Sequence, residues 1–271
     1  DRLRSRGDAR GSTKWSGGEP DYVAEYALTD EHIPALISLA TEWVDAPADD
    51  IVVYGPVHAW RALAQMRAAE AVRPLLDVQD QLDEVGDDWY LGEFHQVFGL
   101  IGPPAIVPLE AYLFEAGHAE YSLVAAANGL REIAVRFPET RGRIVSILTQ
   151  QLAHHRAEAV ERNGHLVGDL LDLNAVESAE VIERAFAAGV VDPIVVGDWG
   201  DIRRKLGVRG LGIAPDRSPG WPTLRERFGY PDQDAERQRR TADRKKRQKA
   251  LRQTKARLKS KRKNRQHRTS R

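Results

Sequence analysis

Ala71-Val72-Arg73-Pro74-Leu75 and Ala105-Ile106-Val107-Pro108-Leu109 are two copies of one pattern, 34 residues apart. At the same offset Trp60 falls on Phe94, and Ile33-Pro34-Ala35-Leu36 is a looser copy upstream. A proline one turn into a helix is tolerated, because the N–H groups of a first turn have no partner within the helix. A period of roughly 30–45 residues built from two helices is the signature of an α-solenoid. Each pair cannot bury its apolar face alone, and stacking on its neighbours completes the core.

Outward from these copies the chain reads as helix from about residue 21 to 206. Apolar residues at i, i+3, i+4 and i+7 alternate with short breaks at Gly, Pro, Asp and Asn. Thr29-Asp30-Glu31 opens a helix with the stripe Ile33, Leu36, Ile37, Ala40 and Val44. Helices follow over Val57 to Met66, Ala69 to Leu82, Asp88 to Ile101, Pro104 to Phe114, Glu120 to Arg136, Glu139 to His155, Gly164 to Leu173 and Ser178 to Ala188. Period-2 patterns are missing, and Ile194-Val195-Val196 is too short to make a sheet. The pattern places Leu36, Leu63, Val72, Leu75, Phe98, Ile106, Leu109, Leu130, Ile133, Ile144, Leu148, Leu170, Ile182 and Phe186 in the core. The expected fold class is all-α, a right-handed α-solenoid of two-helix repeats with disordered ends.

The Pro-containing second helices, breaks such as Ile101-Gly102-Pro103-Pro104 and the period resemble HEAT-like repeats of the short kind named after phycobilisome lyase proteins. Leu170 to Ala179, then Val181 to Phe186, then Val191-Asp192 and Gly197-Asp198-Trp199-Gly200-Asp201-Ile202, resemble the closing segment of bacterial HEAT-like proteins of unassigned function. The resemblance covers about residues 25–207. It implies a right-handed superhelix with a binding or scaffold role and a closing cap near residues 176–206. The cap expects Trp199 to pack near the helix Ser178 to Ala188, with Asp198 or Asp201 at a helix start. It supplies no catalytic residues.

The balance of 40 Lys+Arg against 40 Asp+Glu over 271 residues hides a split. Residues 235–271 hold 18 basic side chains and two acids, Glu236 and Asp243, a net +16 that leaves −16 on the rest. Such asymmetry marks an interaction tail. The tail has no aromatic residue and few apolar ones, so nothing in it offsets the ~1–2 kcal/mol per residue of backbone ordering. It reads as a disordered or partly helical arm for a polyanion such as RNA or the ribosome. The residues expected to touch phosphates are Arg239, Arg240, Arg244, Lys245, Lys246, Arg247, Lys249, Arg252, Lys255, Arg257, Lys259, Lys261, Arg262, Lys263 and Arg265. Without aromatics the arm cannot stack bases, so sequence preference should be weak.

The other ends and joints follow from composition. Residues 1–20 are rich in Gly, Ser, Arg and Asp, with only Leu3 and Trp15 bulky and apolar, and read as a disordered lead-in. The chain opens on Asp1 without a Met, so its true start is expected upstream. Arg6-Gly7-Asp8 spells a cell-adhesion tripeptide, which carries no meaning in a chain with no visible secretion signal. Residues 207–234 read as a Gly/Pro linker, with a capping box at Thr223-Leu224-Arg225-Glu226 before a short helix. No apolar run approaches ~18 residues, so no membrane insertion is expected. Cysteine is absent, which excludes disulfides and thiolate chemistry and fits a cytoplasmic location.

No catalytic motif volunteers. There is no Walker loop, no H-E-x-x-H and no G-x-S-x-G elbow. His154, His155, Glu158 and His165 are the one cluster to weigh for metal, and a polar helix end explains them. His165, Asp169 and Asp172 at i, i+4 and i+7 read as a solvated face. No cofactor or metal is implied. The connections between helix pairs collect acid: Asp45, Asp49 and Asp50, then Asp83, Glu84, Asp87 and Asp88, then Glu115 and Glu120. In a two-helix solenoid these lie along one edge, an acidic ridge for a basic ligand. The leading function is a non-enzymatic scaffold whose body binds a protein or peptide and whose tail binds a polyanion. The alternative is an enzyme or enzyme subunit like the phycobilin lyases, which rests on fold analogy alone.

Overall fold

The computed structural model describes residues 2–9, 20–42, 51–84, 86, 89–154 and 158–208, the side chains of Ile51 and Val52 excepted. The chain divides into two units, Asp1–Pro219 and Gly220–Arg271, and every described residue lies in the first. The linker's capping box, the whole basic tail, Val44, Asp45, Asp49, Asp50, Asp87, Asp88 and His155 lie outside the described residues.

The described residues are all-helical, with no strand among them. The α-helices are α1 (Tyr22–Tyr26), α2 (Ile33–Ala40), α3 (Gly55–Gln65), α4 (Val72–Glu84), α5 (Trp89–Ile101), α6 (Ile106–Phe114), α7 (Glu120–Arg136), α8 (Arg141–Ala153), α9 (Val160–Asp172), α10 (Ala179–Ala187), α11 (Pro193–Val196) and α12 (Trp199–Leu206). They form two rows. α1, α3, α5, α7 and α9 pack each on the next, as do α2, α4, α6, α8 and α10. No single helix among the described residues is long and apolar enough to cross a membrane.

Five times a three-residue 3-10 turn leads into a helix of the even row: Asp30–His32, Ala69–Ala71, Pro103–Ala105, Pro138–Thr140 and Val176–Ser178. The quoted prolines, Pro34, Pro74 and Pro108, each stand in the first turn after such an entry, where no hydrogen bond is lost. Entry before α6 depends on Gly102, whose φ is +86° and whose absent Cβ would sit 2.7 Å from the Phe137 ring. Rows close up where side chains are small. At Gly99 of α5 a Cβ would lie 2.7 Å from Cβ of Glu132 on α7.

The core follows the sequence periodicity. All fourteen expected core residues are buried, from Phe186 at 6% exposure to Leu109 and Ile182 at 0%. Trp60 and Phe94, aligned by the 34-residue offset, meet edge to face with centroids 4.8 Å apart. Trp60 also donates its indole N–H to the carbonyl of Ala40, 2.7 Å away at the end of α2. Asp198 immediately precedes α12, and Trp199 is fully buried with its ring 6.0 Å from Phe186 of α10. Ile194-Val195-Val196 forms part of the short helix α11, started by Asp192, whose side chain accepts the N–H of Ile194.

The expectation of a disordered lead-in fails over residues 2–9, which lie as a strap on α1, α2 and α3. Leu3 is 6% exposed and Ala9 fully buried. Composition counts apolar side chains, and this strap is also held through its backbone carbonyls and its arginines.

Candidate binding face

The strap shows what the odd row can hold. In α3, His58 and Arg61 are three residues apart and share one face. His58 Nε2 donates to the carbonyl of Gly7 at 2.9 Å, and Arg61 Nη1 donates to the carbonyl of Ala9 at 3.1 Å. Two carbonyls two residues apart are thus received by two side chains one helical turn apart. Because the Gly7 carbonyl can only accept, Nε2 carries the imidazole proton, and Nδ1 accepts from the hydroxyl of Tyr22 at 2.8 Å. Burial, with Arg61 and Arg6 nearby, outweighs the Gly7 bond and holds the His58 pKa below its ordinary value.

Arg61 is oriented by Glu93 of α5. The guanidinium forks onto the carboxylate, Nε to Oε2 at 3.0 Å and Nη2 to Oε1, with both side chains almost wholly buried. Further along the row the same chemistry recurs. Arg131 of α7 donates from Nε to Asp169 of α9 at 2.9 Å, and its Nη1 is 2.9 Å from Glu132. Asp172 lies 3.6 Å away. Arg136 donates to Gln96 of α5 at 2.6 Å. His95 and His165 are half-buried on the same helices, and burial lowers the pKa of each.

Asp169 is the outlier. It is 4% exposed, and burial pushes its pKa up to about 7 against the pull of Arg131. Asp172 and Glu132 add to the rise, since one arginine is shared among three carboxylates. The amide of Asn128, turned to donate, reaches Asp169 Oδ1 at 2.9 Å. The reading of His165, Asp169 and Asp172 as a solvated face therefore fails for Asp169. An arginine from the neighbouring helix lets a carboxyl sit where an isolated one would be driven out.

The loop edge looks different. Asp83 accepts from the Tyr90 hydroxyl at 2.6 Å, and Glu84 is exposed at the end of α4. Glu115 pairs with Arg73 and His118, and Glu120 lies 3.4 Å from the buried Arg162. Asp80 was not singled out by the sequence. It accepts from the Tyr112 hydroxyl at 3.0 Å, His118 Nδ1 at 2.7 Å and the Ala119 N–H at 3.0 Å, pinning the loop between α6 and α7. Burial pushes its pKa up, but these bonds outweigh it and hold the carboxyl below the usual range. A cavity of about 240 Å³ beside it is lined by Phe114, His118, His154 and Arg162. Among the described residues no three His, Cys, Asp or Glu side chains converge as a metal set, His154, Glu158 and His165 included.

Sequence reasoning passed over His58, Arg61, Glu93 and Arg131. A signal was present. Polar partners on successive helices of one row recur at similar separations: Arg61–Glu93 at 32, Tyr112–Asp80 at 32, Arg131–Asp169 at 38 and Arg136–Gln96 at 40 residues. Comparison with known proteins adds nothing further: no family model, no curated protein and no solved structure matches the chain.

Proposed function

We propose that this chain is a non-enzymatic cytoplasmic scaffold. Its body is a right-handed α-solenoid of HEAT-like pairs whose odd-row face binds a polypeptide segment, and its basic tail binds a polyanion such as RNA. The single observation that carries the first part is the grip of His58 and Arg61 on the carbonyls of Gly7 and Ala9. Donors aimed at main-chain carbonyls hold a peptide whatever its side chains are. The two rows and the five 3-10 entries support the solenoid. The +16 charge of residues 235–271 supports the tail.

A photo-crosslinking residue separates a peptide face from a plain surface. Placed at Gln96 on the odd row it should yield polypeptide adducts in cells, and at Val107, 60% exposed on the even row, it should not. Equal labelling at both positions would remove the face. For the tail, chains 1–271 and 1–234 are titrated against a labelled RNA. The full chain should bind with log K falling by roughly 0.7–0.9 per phosphate neutralised for each decade of salt. Equal affinity of the two chains would remove the polyanion reading.

A further inference from the structure

The strap is itself a ligand, and its sequence is specific. Arg2-Leu3-Arg4-Ser5-Arg6 alternates basic residues around a buried leucine. Each side chain has a defined place. The Arg2 guanidinium lies 4.9 Å from the Tyr26 ring centroid. Arg4 forks onto Glu42, with Nη1 donating to Oε1 at 3.0 Å. The Ser5 hydroxyl donates to the carbonyl of Arg2 at 3.1 Å and closes the turn. Arg6 pairs with Glu25, donates to the Tyr26 hydroxyl at 2.7 Å and lies 5.0 Å from the Tyr22 ring centroid. A cavity of about 530 Å³ lies against the strap, with Arg2, Arg6, Glu25, Tyr26 and His58 in its wall.

The same order of residues occurs once more in the chain. Arg257-Leu258-Lys259-Ser260-Lys261 repeats it, with Arg, Leu and Ser identical and lysine for arginine at the other two positions. We propose that the strap site on α1, α2 and α3 is an exchangeable receptor for the motif basic-Leu-basic-Ser-basic. Its trans ligand is residues 257–261 of a second copy of the chain. This rests on the odd-row face being a polypeptide-binding face and names its ligand at that end.

The chemistry sets the order of affinities. Lysine gives Glu42 a single point of attachment where Arg4 gives a fork, so the second motif binds less tightly than the strap. Beyond the fifth position the copies part. Gly7 has φ +100°, and Arg262 stands in its place, so the carbonyl grip of His58 and Arg61 is not reproduced without strain. The strap also acts at high effective concentration because it is tethered. Exchange therefore needs either a loosened strap or a high local concentration of the second motif.

The test uses the full chain and a fluorescein-labelled peptide of residues 252–266, read by anisotropy at physiological salt. Against wild type the peptide should bind weakly. Arg4→Ala with Arg6→Ala, which loosens the strap and leaves the receptor intact, should tighten binding ~10-fold or more, as loss of a tethered competitor predicts. Adding Glu25→Gln and Glu42→Gln to that chain should reverse the gain, as should Leu258→Ser in the peptide. A scrambled peptide of the same composition controls for charge and should bind at least ~10-fold more weakly. Equal binding of native and scrambled peptides, or no gain on loosening the strap, would overturn the proposal. Neither result bears on crosslinking at Gln96, so the two readings fail separately.

Discussion

Replacing Asp169 by asparagine tests the electrostatics of the odd row most sharply. The carboxyl titrates near 7 in the folded chain against an ordinary 3.8. At ~1.4 kcal/mol per pH unit that gap is worth ~4 kcal/mol. The sign follows from proton counting. Above pH 4 the unfolded chain has lost this proton while the folded chain keeps it up to about 7. Unfolding then releases a proton, and stability falls as pH rises through that window. Asp169→Asn removes the titration but keeps an oxygen to accept from Arg131 Nε and the partnership with Asn128. The stability of the variant relative to wild type should therefore climb by roughly 2–3 kcal/mol between pH 5 and 8 and level off above that. Urea denaturation followed by circular dichroism at each pH measures the difference directly. The depressed pKa values of His58, His95 and His165 lower stability of both chains in acid and cancel in the comparison. A difference that is flat with pH would mean that Asp169 is ionised throughout and a full partner of Arg131, and that crowding by Asp172 and Glu132 does not raise its pKa.

Arg61→Met or Glu93→Leu alone strands a buried charge and should cost ~3–5 kcal/mol in chemical denaturation, whereas the double substitution should recover more than half of that. Gly102→Ala meets both a positive φ and the Phe137 ring, and should lower stability by ~1–3 kcal/mol. Leu109→Ala, at 0% exposure on α6, should cost ~2–5 kcal/mol. Chain 1–175, which lacks α10 and the Phe186–Trp199 contact, should aggregate at concentrations where chain 1–208 remains monodisperse by light scattering.

The helices were legible because burial in this fold obeys a 3.6-residue period, which any run of a dozen residues displays. Glu120–Arg136 carries enough turns for both ends to be placed from sequence. α1 does not. Its five residues are too few for a period, and it is held instead by tertiary bonds, Tyr22 N–H to Gln65 Oε1 at 2.8 Å and Tyr22 Oη to His58. α11 was obscured by its Ile-Val-Val run, whose residues favour strands. Its helical turn comes from the Asp192-Pro193 start and from Val195 seated at Gly164, where a Cβ would lie 2.9 Å away. The strap's composition predicts disorder, which holds for a segment that must build its own core. Residues 2–9 borrow one.

The odd-row charge pairs were hidden for a related reason. They look ordinary in sequence because burial is conferred by the neighbouring helix. In the even row, Arg73–Asp77, Arg143–Glu110 and Arg141–Glu177 are each about a third to half exposed, and such pairs contribute little to stability. In the odd row Arg61–Glu93 is sealed, and so is Asp169 beside Arg131. A sealed pair is no more stabilising than well-packed apolar residues would be, so stability does not explain why charge stands there. Geometry does. With Nε and Nη2 committed to Glu93, the Arg61 fork is fixed, and its Nη1 is left pointing at the carbonyl of Ala9. A methionine–leucine pair could restore the packing at that point, but it would leave the strap's carbonyl with no donor.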